Sequence, residues 1–317
     1  MKAPPLLVSY ASVDDYLSAL DPELREQYEE QIRSLLNQGL PPVVSSRCLA
    51  TLFGYTTKFV NAMKSQNWKY YRSFTVRKGK KKRNIHAPKV ALKAIQKWFG
   101  CHLAEAVSFD EFVYGFVVGK SAVSAAGQHA NARWVYSIDI KDFFTSTTDE
   151  VVKVALQDLG YSEKACNLIV ALCCYRDRLA QGSPASPVLS NLVMKDIDSQ
   201  LNQISQTHGV RFTRYADDIV FSGYGEFPEP LKNQSKSLFE NTCWELSPQK
   251  EYYAALPKRL KVHGLIVQGN KPRLTKGYRN KIRAFKHMLE MGKVDEKDIK
   301  RLTGHIKYAE SVDEYEG

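Results

Sequence analysis

The stretch from Arg211 to Gly223 sets two adjacent carboxylates, Asp217 and Asp218, between runs of β-branched and aromatic residues. That enrichment on both sides predicts two short strands meeting at a tight turn. Tyr215-Ala216-Asp217-Asp218 lacks the glycine that a turn with positive φ usually recruits. Neighbouring carboxylates at a hairpin tip also repel each other unless a cation sits between them. Mg²⁺ suits such a place, being a hard cation that takes oxygen ligands and leaves room for substrate phosphates. A solvated turn carrying two acids is the plainer reading, so the choice rests on a third carboxylate in a similar setting.

Asp139 supplies it. Trp134–Ile140 reads as a strand, and Asp139 sits in it between two isoleucines, where a carboxylate is costly without a partner. An Asp alternating to a solvent face is the alternative. Carboxylates from two adjacent strands can converge on two Mg²⁺ ions roughly 3.5–4 Å apart, a geometry suited to phosphoryl transfer. In that chemistry positioning and charge neutralisation do most of the work.

The elements that must position these acids follow from periodicity and punctuation. Residues 12–38 predict a helix with Ser12 and Asp21 as N-caps and a stop at Gly39. Two short helices follow, 45–53 and 56–64, broken at Gly54. Residues 72–76 alternate as a strand and lead into Arg77-Lys78-Gly79-Lys80-Lys81-Lys82-Arg83, a basic hairpin tip. A charge run is usually a solvated face, but beside a phosphate site such cations can clamp a triphosphate. An amphipathic helix is expected over 89–103. Thr147-Thr148-Asp149-Glu150 matches a capping box opening a helix to Gly160, and another helix begins at Ser162. Gln181-Gly182-Ser183-Pro184 is a loop ending in a helix start, with Ser186 as N-cap, Pro187 at the first helical position and a helix over 188–201. Glycine at 182 can let backbone approach a ligand closely. Further on, 231–244 reads as a helix, 261–267 as a strand, and 276–290 with 295–310 as a basic helical pair.

The chain has 317 residues, 44% of them apolar, and a net charge of +11. Such a composition is that of globular proteins with a substantial core. No apolar run approaches the length that spans a bilayer, so no membrane partner and a cytoplasmic location are expected. Six cysteines without a Cys-x-x-Cys pair argue against a zinc site or disulfide framework. Residues 1–40 carry seven acids against three bases, whereas 256–307 carry fifteen bases against four acids. That asymmetry points to a polyanionic partner met by one part of the molecule.

Taken in order, Ser137–Phe144, Gln181–Pro184 and Tyr215–Asp218 resemble the palm and nucleotide-pocket motifs of the reverse transcriptases, most closely those of bacterial retrons. The resemblance covers about residues 40–310. It implies an α+β right-hand polymerase with an antiparallel palm sheet and a helical C-terminal thumb. The expected parts are an acidic helical extension (1–40), fingers and connecting region (41–132), palm (133–255) and basic thumb (256–317). The activity implied is RNA-directed DNA synthesis from deoxynucleoside triphosphates with two Mg²⁺ ions. Priming from a 2′-OH of a structured non-coding RNA would give a branched RNA–DNA product. An accessory effector protein and a role in phage defence are implied as well.

Carried over residue by residue, the resemblance makes Asp139, Asp217 and Asp218 the catalytic metal ligands. Phe144 becomes the steric gate against a ribose 2′-OH. Gln181 and Gly182 meet the incoming nucleotide, Arg83 its triphosphate, and Lys250 can protonate the pyrophosphate leaving group. Lys80, Lys81, Lys82 and His129, with Lys276, Arg279, Lys281 and Arg283 of the thumb, are expected on RNA or DNA. Two departures stand out. Retron enzymes commonly show Asn-Ala-x-x-His before the first palm motif, where this chain has Ala125-Ala126-Gly127-Gln128-His129; they carry Val-Thr-Gly after the palm, where it has Val262-His263-Gly264. Both segments are associated with recognition of the cognate RNA. The rival readings are a group II intron-like or abortive-infection enzyme, and a non-polymerising RNA-binding scaffold of the same fold.

Overall fold

Ten strands occur among the described residues, which in the computed structural model are 4, 6–78 and 81–316. They are β1 (Tyr71–Lys78), β2 (Lys81–Pro88), β3 (Trp134–Asp139), β4 (Cys174–Tyr175) and β5 (Arg178–Leu179). The remainder are β6 (Arg211–Tyr215), β7 (Asp218–Gly223), β8 (Tyr252–Ala255), β9 (Lys261–Val262) and β10 (Leu265–Ile266). Every ladder between these strands is antiparallel. The chain folds into two units, Met1–Phe109 with Lys141–Asp196, and Asp110–Ile140 with Ile197–Gly317.

The first unit is mainly helical. Its N-terminal region forms two helices where one was expected, Val13–Ser18 and Pro22–Asn37, because Pro22 has no N–H with which to continue the first. Ser12 caps the first helix through its side chain, whereas Asp21 makes no such bond to the second. Ser45, Thr56 and Ser162 cap the helices they precede, and Gly54 ends Ser46–Phe53 in the left-handed region. Leu17, Ile32, Leu49, Met63, Leu92 and Leu103 are fully buried in one core. Buried among them, Gln96 donates to the Tyr71 hydroxyl (2.7 Å) and the Leu172 carbonyl (2.6 Å), and accepts from Ser183 (2.8 Å). A buried amide is tolerated only when its atoms are so partnered. Here it ties the Val90–Ala106 helix to the loop at 181–184.

Three helix starts differ from expectation. Thr148 flanks Asp149–Asp158 without a side-chain cap bond, while Thr147 is buried and donates to the Phe143 carbonyl (2.7 Å). Ser186 is the first helical residue instead of the cap, its hydroxyl turned back to the Ala180 carbonyl (2.9 Å). That helix stops at Val193, and Lys195–Thr207 is separate.

The second unit is built on a four-stranded sheet in the order β6-β7-β3-β8. Val135, Ile138, Ile219, Val220 and Phe221 are buried in it. One core joins Val135, Val220 and Ala254 of the sheet to Leu274, Ile282, Ala309 and Val312 of the C-terminal segment, where Lys276–Glu290 packs on Glu296–Asp313. Two predicted elements are shorter than expected. The helix at 231 is Pro230–Ser237, and the strand at 261–267 is the hairpin β9–β10, turned by His263 and Gly264.

Candidate active site

β3 and β7 run antiparallel with Ile138 opposite Ile219 and Asp139 opposite Asp218. The register follows from the buried residues of both strands, because a slip by one residue would turn every apolar side chain to the wrong face. It brings two carboxylates, distant in sequence, to the same end of the sheet. Asp217 is fixed beside them by its carbonyl, which accepts from Ile140 N (2.9 Å). The turn between β6 and β7 holds Ala216 at φ 58°, a left-handed conformation costly for a residue with a Cβ.

Two groups hold that turn. Arg214, fully buried, makes a bidentate ion pair with Asp198 (both N···O 2.5 Å) and donates a further hydrogen bond to the Ala216 carbonyl (3.1 Å). Residues 112–115 lie alongside, with Tyr114 N donating to the Arg214 carbonyl (2.8 Å) and Arg214 N to the Phe112 carbonyl (2.9 Å). Gly115 permits the approach, since a Cβ there would lie 2.2 Å from Ala216 N. None of these supports is visible in the sequence, where Asp198 is one acid in a polar helix and Gly115 one glycine in a loop.

Lys250 sits on the short turn Pro248–Lys250, anchored by the Ser247 N–H donating to the Asp139 carbonyl (2.8 Å). Its ammonium pairs with Asp139 and lies 3.8 Å from Asp217. Asp139 is the least exposed of the three acids. Burial pushes its carboxyl up to about 6; Lys250 opposes this, and the charges of Asp217 and Asp218 add to it. Three carboxylates against one ammonium leave a negative cluster of hard oxygen donors, which suits a divalent cation such as Mg²⁺. Among the described residues no three acidic, histidine or cysteine side chains are drawn together closely enough to hold an ion as they stand. Lys250 is the cation that Asp139 meets.

The residues expected at the nucleotide belong to the first unit. β2 carries Arg83, which is exposed, and its His86 N–H donates to the Gln181 carbonyl (2.9 Å). Gly182, at φ 132°, lies so close to β2 that a Cβ would meet the His86 carbonyl at 2.9 Å. Phe144, half-buried, rests on Phe143 in the short helix Phe143–Ser146. That helix is steadied by Arg178, which donates to the Thr145 carbonyl (3.1 Å).

The expected nucleic-acid contacts divide. Lys80 lies outside the described residues, Lys81 begins β2, and Lys82 is exposed on it. Lys276, Arg279 and Arg283 are exposed at helical spacing on one face, whereas Lys281 leans over the Phe285 ring. His129 cannot touch a polynucleotide. It is fully buried, and its ring nitrogens meet the hydroxyls of Ser222 (2.7 Å) and Thr213 (2.7 Å), bridging β7 to β6. Burial pushes its pKa down to about 3, so the bridge is a neutral imidazole. A lone histidine beside a loop looks the same in sequence whether it faces solvent or the core.

Residues 76–280 match the family described as reverse transcriptase (RNA-dependent DNA polymerase). Similar curated proteins include the retron Ec86 reverse transcriptase of Escherichia coli, 30% identical over 77% of this chain and 77% of that protein. The retron Mx162 reverse transcriptase of Myxococcus xanthus is 29% identical over 75% of this chain and 56% of its own length. The retron Ec73 enzyme of Escherichia coli is 29% identical over 73% and 79%. A structure of telomerase from Candida albicans with a fragment of telomeric RNA aligns at a TM-score of 0.49 and 10% identity, over 74% of this chain and 53% of that one.

Proposed function

Because this chain belongs to the reverse transcriptase family, and within it to the retron type, we propose that it copies a structured non-coding RNA into multicopy single-stranded DNA, priming from a 2′-OH of that RNA. It is an RNA-directed DNA polymerase with the mixed helix-and-sheet, right-hand fold of its family. The proposal extends to a place in antiphage defence beside an effector protein and to a cytoplasmic site of action. No described helix is long and apolar enough to cross a membrane.

The observation that carries the reading is the pairing of Asp139 with Asp218 across β3 and β7, with Asp217 alongside. These three carboxylates would hold two Mg²⁺ ions. Bound there, the metal supplies charge neutralisation at the reacting phosphate and lowers the pKa of the attacking hydroxyl. Bond formation between that hydroxyl and the α-phosphorus expels pyrophosphate. Lys250, which pairs with Asp139 here, would instead protonate the leaving pyrophosphate when Asp139 holds a metal. Phe144 would exclude the ribose 2′-OH, Gln181 and Gly182 would contact the nucleotide, and Arg83 its triphosphate. Lys82, with Lys80 and Lys81, would meet nucleic acid in the fingers. Lys276, Arg279 and Arg283 would grip RNA–DNA duplex phosphates as the thumb face.

Extension of a DNA primer on an RNA template by the purified protein tests the reading. Asp217→Asn should abolish synthesis while the melting temperature in chelator stays near that of the parent. Undiminished synthesis by that variant would refute it. Sequencing the nucleic acid that copurifies with the protein tests the finer reading, for which a 2′,5′-branched RNA–DNA species is expected and only linear RNA would be contrary.

A further inference from the structure

The turn between β9 and β10 consists of His263 at φ 49° and Gly264 at φ 83°. Two successive residues with positive φ make the type I′ hairpin turn, whose first position favours asparagine, aspartate or glycine. Histidine is not among the residues this turn prefers. Residues held in such conformations are kept when something else in the structure uses them.

The use is visible at the other end of the side chain. The His263 side chain is only 7% exposed. Its ring lies against Tyr215, with centroids 5.2 Å apart. Its Nδ1 is 3.0 Å from Oδ2 of Asp218, while its Nε2 is buried with no hydrogen-bond partner among the described residues. A carboxylate can only accept, so Nδ1 is the donor of this bond. One ring thus bonds the second acid of the hairpin and packs on the residue at its base.

We propose that His263 is a positioning residue for Asp218: its Nδ1–H fixes Oδ2 and so orients the carboxylate toward a divalent cation. The proposal rests on the reading of Asp139, Asp217 and Asp218 as metal ligands. Carboxylates that bind metals are usually held by such outer hydrogen bonds, whose loss typically costs about 10–100-fold in affinity. The position is the middle residue of Val262-His263-Gly264, so this turn serves the carboxylates directly.

Two variants separate donation from packing. His263→Asn keeps an N–H donor near the Nδ1 position and suits the type I′ turn, but loses most of the ring. His263→Phe keeps a ring on Tyr215 and has nothing to donate. Mn²⁺ binding to the full chain, followed by electron paramagnetic resonance without nucleotide or template, is the readout, with Asp218→Asn as the reference. The expected result is that Asp218→Asn and His263→Phe each weaken Mn²⁺ binding about tenfold or more, while His263→Asn stays within a few-fold of the parent. Melting temperatures in chelator check that each variant remains folded. If Asp218→Asn weakens binding but His263→Phe binds like the parent, the positioning role is overturned and the carboxylate reading stands. Unaltered Mn²⁺ binding in Asp218→Asn would overturn both. Weakened binding in Asn together with intact binding in Phe would make His263 a packing residue only.

Discussion

Removing Asp198 should loosen the hairpin that carries Asp217 and Asp218 from below. Arg214 is fully buried and Asp198 nearly so, and the pair shares two 2.5 Å contacts. In Asp198→Ala the guanidinium keeps its bond to the Ala216 carbonyl but loses its counter-ion in a place water does not reach. Breaking a buried pair from one side typically costs 3–5 kcal/mol. Against a total stability of about 5–15 kcal/mol, that is a large share. Replacing both partners by apolar residues of similar size, as in Asp198→Leu with Arg214→Met, should cost much less, because no charge is left stranded. Urea denaturation of the parent, the single variant and the double variant measures both quantities. A loss below about 1 kcal/mol in Asp198→Ala, on the scale of an exposed pair, would refute the claim that this ion pair supports the turn.

Three further outcomes follow from the same geometry. Gly115→Ala would press a Cβ into the backbone of Ala216; a loss of about 1–3 kcal/mol is expected in denaturation, with a disproportionate fall in polymerisation, and parental values in both would count against the close approach. His129, held at about 3 against an unfolded value near 6.5, takes up a proton on unfolding at any pH between the two, so stability falls as pH falls through that window, by up to about 1.4 kcal/mol per unit. His129→Asn should flatten the stability profile between pH 6.5 and 4.5 by roughly 2 kcal/mol, and identical slopes in both proteins would contradict a neutral buried imidazole. Phe144→Ala should raise ribonucleotide incorporation relative to deoxyribonucleotide, and an unchanged sugar preference would remove Phe144 as the gate.

Much of this protein was legible without coordinates. Motif order identified the polymerase, and β-branched runs around Asp139 and the two adjacent acids predicted strands that do form, because strand and hairpin preferences are local. Local chemistry also set the cap at Ser12. What only tertiary structure decided are the relations between distant residues: which carboxylate faces which, that Asp198 neutralises Arg214, that Gly115 admits Ala216, and that His129 is core and not surface. None has a sequence signal, because burial and pairing depend on what other segments bring to the same place. The expected strand at 261–267 failed for that reason. Its apolar residues fit a strand, but positive φ at His263 and Gly264 folds it back, and the position that looks worst for the local turn is the one whose side chain reaches Asp218.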